Sequence, residues 1–321
     1  KHGKKYSILK TVIRASEEAV KRELSFENEV KRSAIAREKV YVGMSDVLQD
    51  VEAPREHLEK PRLIVAELAE GASIRRLPPA DQDRVARKIL EMETKTLSAP
   101  TGDVYFDADR HPGNYLAQAA ADVRAGAKPK VSPIDFGQLT FITAAEREHV
   151  VKLFSLAQIL RETGGTVWGA EELMRILDLD PAFKPKLVRA LAELFPSTHS
   201  REIAAYFGVL TALETAGKPV PLSYIEYVRA ILQHPQYEKW IIGPESAHPN
   251  EKMTQIFEQR VRKSAEEQLA RMKLKPAEKS RIALRLFKTA IFGEPGNRPC
   301  SLADVLARVK ATQTKLRQAA H

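Results

Sequence analysis

Asp109-Arg110-His111-Pro112-Gly113-Asn114, followed by Ile134-Asp135-Phe136-Gly137, sets a carboxylate, an amide five positions on and a second carboxylate in one short run of chain. An amide at that interval turns back beside the first carboxylate, where it can hold a divalent cation while the carboxylate orients a hydroxyl. Asp135 then reaches the cation from the other side. The run from Tyr115 to Val131 is long enough for a β-hairpin with Ala125-Gly126-Ala127-Lys128-Pro129 as its turn, which brings the two tips side by side. A lone Asp-Phe-Gly arises by chance in many chains; an Asp and an Asn separated by four residues, followed in order by Ile-Asp-Phe-Gly, are more specific. The pattern predicts phosphoryl transfer involving Mg-ATP, with Asp109 catalytic and Asn114 and Asp135 as metal ligands.

The residues upstream supply the other parts such a site needs. Tyr6-Ser7-Ile8-Leu9-Lys10-Thr11-Val12-Ile13 reads as a strand carrying Lys10, and Ser16 as the cap of a helix that opens with Glu17 and Glu18. Glu29, 19 positions after Lys10, is the predicted partner of that lysine, with Glu23 and Glu27 as alternatives; the strand context favours Lys10 over Lys4 and Lys5. Leu63-Ile64-Val65-Ala66-Glu67-Leu68-Ala69-Glu70-Gly71 reads as a strand entering a hinge, where the backbone at Glu67 and Ala69 would meet the adenine. Asp81 to Leu97 carries Val85, Ile89, Met92 and Thr96 at helical spacing, as expected of a buried helix before a catalytic loop.

Phe106-Asp107-Ala108-Asp109-Arg110-His111-Pro112-Gly113-Asn114 resembles the Phe-His-Ala-Asp-Pro-His-Pro-Gly-Asn signature of the UbiB/AarF/ADCK atypical kinases, and Ile134-Asp135-Phe136-Gly137-Gln138-Leu139 resembles their Asp-Phe-Gly-Gln segment. Glu23-Leu24-Ser25-Phe26-Glu27-Asn28-Glu29-Val30 is similar to their Glu-x-Asp followed by a Glu-Ala helix. Aminoglycoside and choline kinases share a comparable His-x-x-x-Asn box. The resemblance covers about residues 6 to 165 and implies that Asp109 is the catalytic-loop acid, that Asn114 and Asp135 hold Mg²⁺, and that Glu29 pairs with the nucleotide-binding lysine, for which Lys10 is the best candidate. It also brings in a lipid-related acceptor.

Three departures qualify the resemblance. Asp107 stands where the family has histidine, and its carboxylate either perturbs a neighbour, adds a metal contact or faces away. Ser25 replaces an acidic residue. The chain starts at Lys1 with no Gly- or Ala-rich nucleotide loop and without the family's insertion between lysine and glutamate, so the expected N-lobe is either truncated or reduced. After Gly137 a helix starts near Thr143, with Ala144, Ala145 and Glu146 in its first turn, and no Ala-Pro-Glu element comes after it. A peptide-docking activation segment needs more chain than that, which favours a small-molecule acceptor or ATP hydrolysis.

Residues 143 to 321 read as helical, with helices near 143–163, 169–177, 182–195, 200–216, 221–234, 250–272, 276–292 and 301–318, separated by Gly and Pro. Their irregular spacing shows no repeat. From Phe257 to His321 there are 15 Lys and Arg against 6 Asp and Glu, a net +9 that equals the charge of the whole chain. This basic tail suits an anionic membrane surface or a protein partner, or is a solvated helix face. Arg281, Arg285 and Lys288 oppose Ile282, Leu286 and Phe287 on one helix, which would dock on a partner or on the C-lobe. Nucleic acid is not expected, since no binding motif occurs.

Hydrophobic content is 43% without an apolar run of membrane-spanning length, and Cys300 is the single cysteine. A cytoplasmic protein is the expectation, with any membrane contact peripheral, and no signal peptide is visible. The predicted architecture is α+β: a two-lobe, protein-kinase-like fold with a small β-rich N-lobe over 1–70, a large helical C-lobe over 71–240 carrying the catalytic and metal loops, and a basic helical C-terminal extension over 241–321. An active ATP-dependent phosphotransferase or ATPase, a nucleotide-binding pseudokinase and a divergent protein kinase are the functions this pattern admits.

Overall fold

The computed structural model describes residues 13, 17, 20–21, 26–41, 68–99, 102–195, 202–242 and 253–288. They are predominantly helical with two small antiparallel sheets, an α+β kinase-like fold with a helical C-terminal region. The chain divides into two compact units. One consists of Arg14–Ala144 with Ile225–Met253, the other of Lys1–Ile13 with Ala145–Tyr224 and Thr254–His321.

In the first unit, helix α1 (Phe26–Ile35) widens into a π-helical turn over Ala36–Val40, closed by the Tyr41 N–H on Ala36 O at 2.9 Å. Strand β1 (Ala72–Ser73) comes after Gly71, whose φ of +114° suits glycine and where a Cβ would collide with the Ala117 carbonyl, leaving no room for a side chain. Helix α2 (Pro79–Leu97) starts on proline, which is preorganised for a first helical position. It buries Val85, Ile89 and Met92, as the spacing predicted, whereas the last position of the predicted stripe, Thr96, is half-buried and the neighbouring Leu97 is buried instead.

Strands β2 (Val104–Asp107), β3 (Tyr115–Ala117), β4 (Val131–Pro133) and β5 (Leu139–Ile142) complete this unit's strands. One sheet has the order β1-β3-β4; the other pairs β2 with β5. The expected hairpin is β3 and β4, in the register Tyr115↔Pro133 to Ala117↔Val131. Its strands are shorter than the Tyr115–Val131 run suggested, because a 3-10 turn at Ala120–Asp122 and a turn at Gly126 (φ +87°) take up the connection. Arg84 of α2 anchors that connection by donating to Gln118 O at 2.7 Å and Pro129 O at 3.3 Å. Tyr41, Ile74, Val85, Ile89, Met92, Tyr115, Val131, Phe136 and Tyr237 belong to one buried cluster.

The helical unit contains most of α3 (Ala144–Thr163), with α4 (Thr166–Leu177), α5 (Lys184–Leu194) and α6 (Glu202–Thr215). Helix α7 (Leu222–Gln233) begins in this unit and continues in the first, where the single turn α8 (Pro235–Glu238) succeeds it. Helices α9 (Met253–Arg271) and α10 (Pro276–Lys288) end the described chain. Phe154 stacks on Tyr206 at 5.1 Å and meets Phe257 edge-on at 5.4 Å. A polar layer of Ser155, Ser264 and Gln268 joins α3 to α9, with Ser155 Oγ 2.9 Å from Ser264 Oγ and Gln268 Nε2 donating to Ser155 Oγ at 2.7 Å. Ile282 of α10 packs in a cluster with Ile159, Ala265, Leu269 and Met272, while Arg281 is exposed. The amphipathic α10 therefore docks on its own unit through Ile282.

Ile13, the last residue of the expected strand, is helical, as are Glu17, Val20 and Lys21, and the rest of that strand, residues 6–12, lies outside the described residues. β-propensity of a Thr-Val-Ile run reflects a fit to a half-buried pleated surface, and Ile13 is 47% exposed. Lys10, Ser16, Glu18, Glu67, the strand over 63–66, Cys300 and the helix over 301–318 lie outside the described residues. No described helix is long and apolar enough to cross a membrane.

Candidate nucleotide and metal site

Two ladders bracket the site. On one side, β2 pairs with β5, and Ala108 N–H extends that ladder to Gln138 O at 3.1 Å. On the other, β3 pairs with β4, and Ile134 N–H extends it to Asn114 O at 2.9 Å. The loop carrying Asp109 and Asn114 and the loop carrying Asp135 therefore run past each other between the two ladders. This is the juxtaposition the sequence spacing called for, and it rests on backbone hydrogen bonds.

Within the first loop the hydrogen bonds are local. Asp109 O accepts from His111 N–H at 2.8 Å and from Asn114 Nδ2 at 2.9 Å. The second bond spends the amide's donor inward, which leaves Asn114 Oδ1 as the acceptor available to a cation. His111 is exposed and its Nδ1 accepts from Gly113 N–H at 3.0 Å, so this histidine shapes the turn. Asp135 is half-buried and caps its own turn, Oδ1 accepting from Gly137 N–H at 2.8 Å. The donor set fits Mg²⁺, which takes oxygen ligands and is usually held by one or two carboxylates completed by phosphate and water. Among the described residues no three His, Cys, Asp or Glu side chains form a metal cage.

Helix α1 supports the second loop at two points one helical turn apart. Phe136 N–H points at Glu29 Oε1 at 3.4 Å, and Arg32 Nη1 donates to Gly137 O. Glu29 thus lies beside the Asp-Phe-Gly turn; its expected partner, Lys10, is outside the described residues. Ala69 is half-buried in irregular chain, and the adjoining Glu70 Oε2 accepts from Gln118 Nε2 at 2.7 Å.

Beneath the loops sits a buried charged cluster. Arg110, 3% exposed, donates from Nη1 to Tyr115 Oη at 2.8 Å, lies 5.2 Å from the Tyr41 ring centroid, and has Glu93 Oε1 and Asp107 Oδ2 at 3.6 and 3.8 Å from Nε. Tyr41 also meets Phe136 edge-on at 6.5 Å, so one ring touches a residue of each loop. His234 Nε2 lies 2.8 Å from Glu93 Oε2, close enough for an ion pair yet off the hydrogen-bonding direction. Tyr237 Oη donates to Arg110 O at 2.7 Å.

Asp107 answers the question its position raised. It turns inward, Oδ1 accepting from Asp109 N–H at 2.8 Å, so it braces the loop. Burial pushes its carboxyl up to about 6, against the opposing pull of Arg110 and of the Asp109 N–H. The native state then holds a proton that the unfolded chain has released, so this group's contribution falls as pH rises from about 4 to about 6. Asp107→Asn keeps an acceptor for the Asp109 N–H and removes that titration. Its stability relative to the parent protein, read from urea denaturation, rises across this window; a difference that stays flat contradicts the assignment.

Sequence reasoning missed Arg229 and Gln233. Both reach Asp109 Oδ1, Arg229 Nη2 at 2.7 Å and Gln233 Nε2 at 3.0 Å. The available signal was a pair of polar residues four apart on α7, amid Ile225, Val228 and Ile231.

The ABC1 atypical kinase-like domain matches residues 2–163, just over half of the chain. This chain belongs to the ABC1 atypical kinase-like family. That is the group to which the Asp109–Asn114 and Asp135–Gly137 motifs are similar, and both motifs fall inside the matched region. A comparison with curated proteins returned no match.

Proposed function

We propose that this ABC1-family chain is an ATP-dependent phosphotransferase or ATPase whose acceptor is a small molecule or lipid-related compound. The observation that carries the reading is the Ile134-to-Asn114 backbone bond, which makes Asn114 and Asp135 neighbours, together with the Asn114 amide turned against Asp109 O. Mg-ATP, when bound, supplies the phosphoryl group and a cation that neutralises its developing charge. Asn114 and Asp135 would hold the metal, Lys10 with Glu29 would hold the phosphates, and the backbone at Glu67 and Ala69 would meet the adenine. Asp109 orients the acceptor hydroxyl. The chemistry asked of the protein is positioning and electrostatic stabilisation.

The short path of the chain after Gly137 favours a small acceptor. It enters β5 at Leu139, pairs with β2, and starts α3 at Ala144, so no free segment remains there to dock a peptide. ATP labelled on its γ-phosphate distinguishes the possibilities. Label leaving ATP as inorganic phosphate identifies an ATPase, and label in a small or lipid-soluble product identifies a phosphotransferase. Label in protein identifies a divergent protein kinase. Label that stays in bound ATP contradicts the proposal and leaves a pseudokinase, a nucleotide-responsive interaction module.

A further inference from the structure

We infer that Arg229 and Gln233 are positioning residues for Asp109, holding its carboxylate through Oδ1 so that Oδ2 meets the acceptor hydroxyl; the inference rests on the phosphotransfer reading. The two residues are four apart on α7 and so share a face. The rotation of α7 is fixed by independent contacts with the elements that carry and flank the loop. Tyr227 donates from Oη to Leu97 O at 2.8 Å and meets Phe106 edge-on at 5.7 Å. Glu226 Oε2 accepts from Thr140 Oγ1 at 2.8 Å. Just past α7, Tyr237 grips Arg110 O.

With the helix held in this rotation, Arg229 Nη2 and Gln233 Nε2 converge on one oxygen, at 2.7 and 3.0 Å. Gln233 Nε2 also lies 3.4 Å from Ala108 O, so the amide is tied to the loop backbone next to Asp109. Two donors on one carboxylate oxygen fix the plane of the group. Among the described residues no partner takes Oδ2.

Burial separates this clamp from the structural cluster below it. Arg229 and Asp109 side chains are 29% and 23% exposed, whereas those of Arg110 and Glu93 are 3% exposed. An ion pair open to water contributes little to folding, so the Arg229–Asp109 pair can be removed without unfolding the unit. What it governs is the direction of the carboxylate. A misplacement of about 1 Å at a reacting group costs about 100-fold in rate.

The test compares the full chain with Arg229→Gln, Arg229→Lys and Gln233→Leu, measuring kcat, KM for ATP and nucleotide-induced thermal stabilisation. Arg229→Gln is expected to lower kcat about 100-fold with KM for ATP changed less than about twofold and the thermal stabilisation retained. Arg229→Lys, which keeps a donor and a charge, recovers about tenfold of that loss, and Gln233→Leu loses about tenfold. A kcat within about twofold of the parent in Arg229→Gln overturns the inference alone. Loss of nucleotide stabilisation in parallel with kcat also overturns it, because it assigns Arg229 a structural role. A parent protein without turnover overturns the phosphotransfer reading, and the clamp with it.

Discussion

Arg110→Met is expected to destabilise the protein by about 3–5 kcal/mol, the range for removing one partner from a buried charge cluster. Arg110 is 3% exposed and faces two carboxylates, Glu93 and Asp107, themselves 4% and 7% exposed. Methionine restores most of the volume but leaves both carboxylates without their guanidinium. Native stability is of order 5–15 kcal/mol, so the loss is a large share of the whole. Arg110→Lys keeps the charge but loses the geometry of the bond to Tyr115, for a smaller cost of about 1.5–3 kcal/mol. The deficit of Arg110→Met shrinks on acidification towards pH 5, because Asp107, already held at about 6 by burial, is then protonated and needs no cation. Urea denaturation at neutral and acidic pH reads both effects. A loss below about 1 kcal/mol, or one that grows on acidification, contradicts the cluster as described.

This cluster shows where sequence reading stops. The approach of the loop carrying Asp109 and Asn114 to the loop carrying Asp135 was legible because the chain between them is just long enough for the β3–β4 hairpin that brings them together. Helix α2 was legible because Val85, Ile89 and Met92 repeat at the helical period. Asp107 stood out as a departure from the family signature, yet its meaning depends on Arg110, which occupies a proline position of that signature and lies 3.8 Å away as its ion partner. Without Arg110, Asp107 would be buried beside Glu93 with no guanidinium facing either carboxylate. The pairing of Glu93 with His234, and of Asp109 with Arg229 and Gln233, joins residues more than 100 positions apart. No periodicity or motif links such residues, since the contact exists only once α7 packs against the loop. Ile13 failed for a different reason, a local propensity overridden by context.

Asp135→Asn carries the largest expected functional effect. Asp135 is the one carboxylate in the assigned cation pair, and its Oδ1 already accepts from Gly137 N–H, so asparagine can keep the turn while removing the charge. With the charge gone, Mg²⁺ and the phosphates it neutralises lose their anchor, and turnover falls by about 1,000-fold or more. Asn114 alone, a neutral ligand, does not replace it. The substitution leaves the buried cluster around Arg110 untouched, so the apo-protein should melt close to the parent.

Thermal unfolding of the parent and of Asp135→Asn, each with and without Mg-ATP and with turnover followed on the same samples, tests the central claim most directly. The account predicts that Mg-ATP stabilises and is turned over by the parent, that chelating the metal abolishes both effects, and that Asp135→Asn shows neither. Equal stabilisation of both proteins by Mg-ATP, or turnover that survives the substitution, would place the nucleotide somewhere other than between Asn114 and Asp135 and contradict the account.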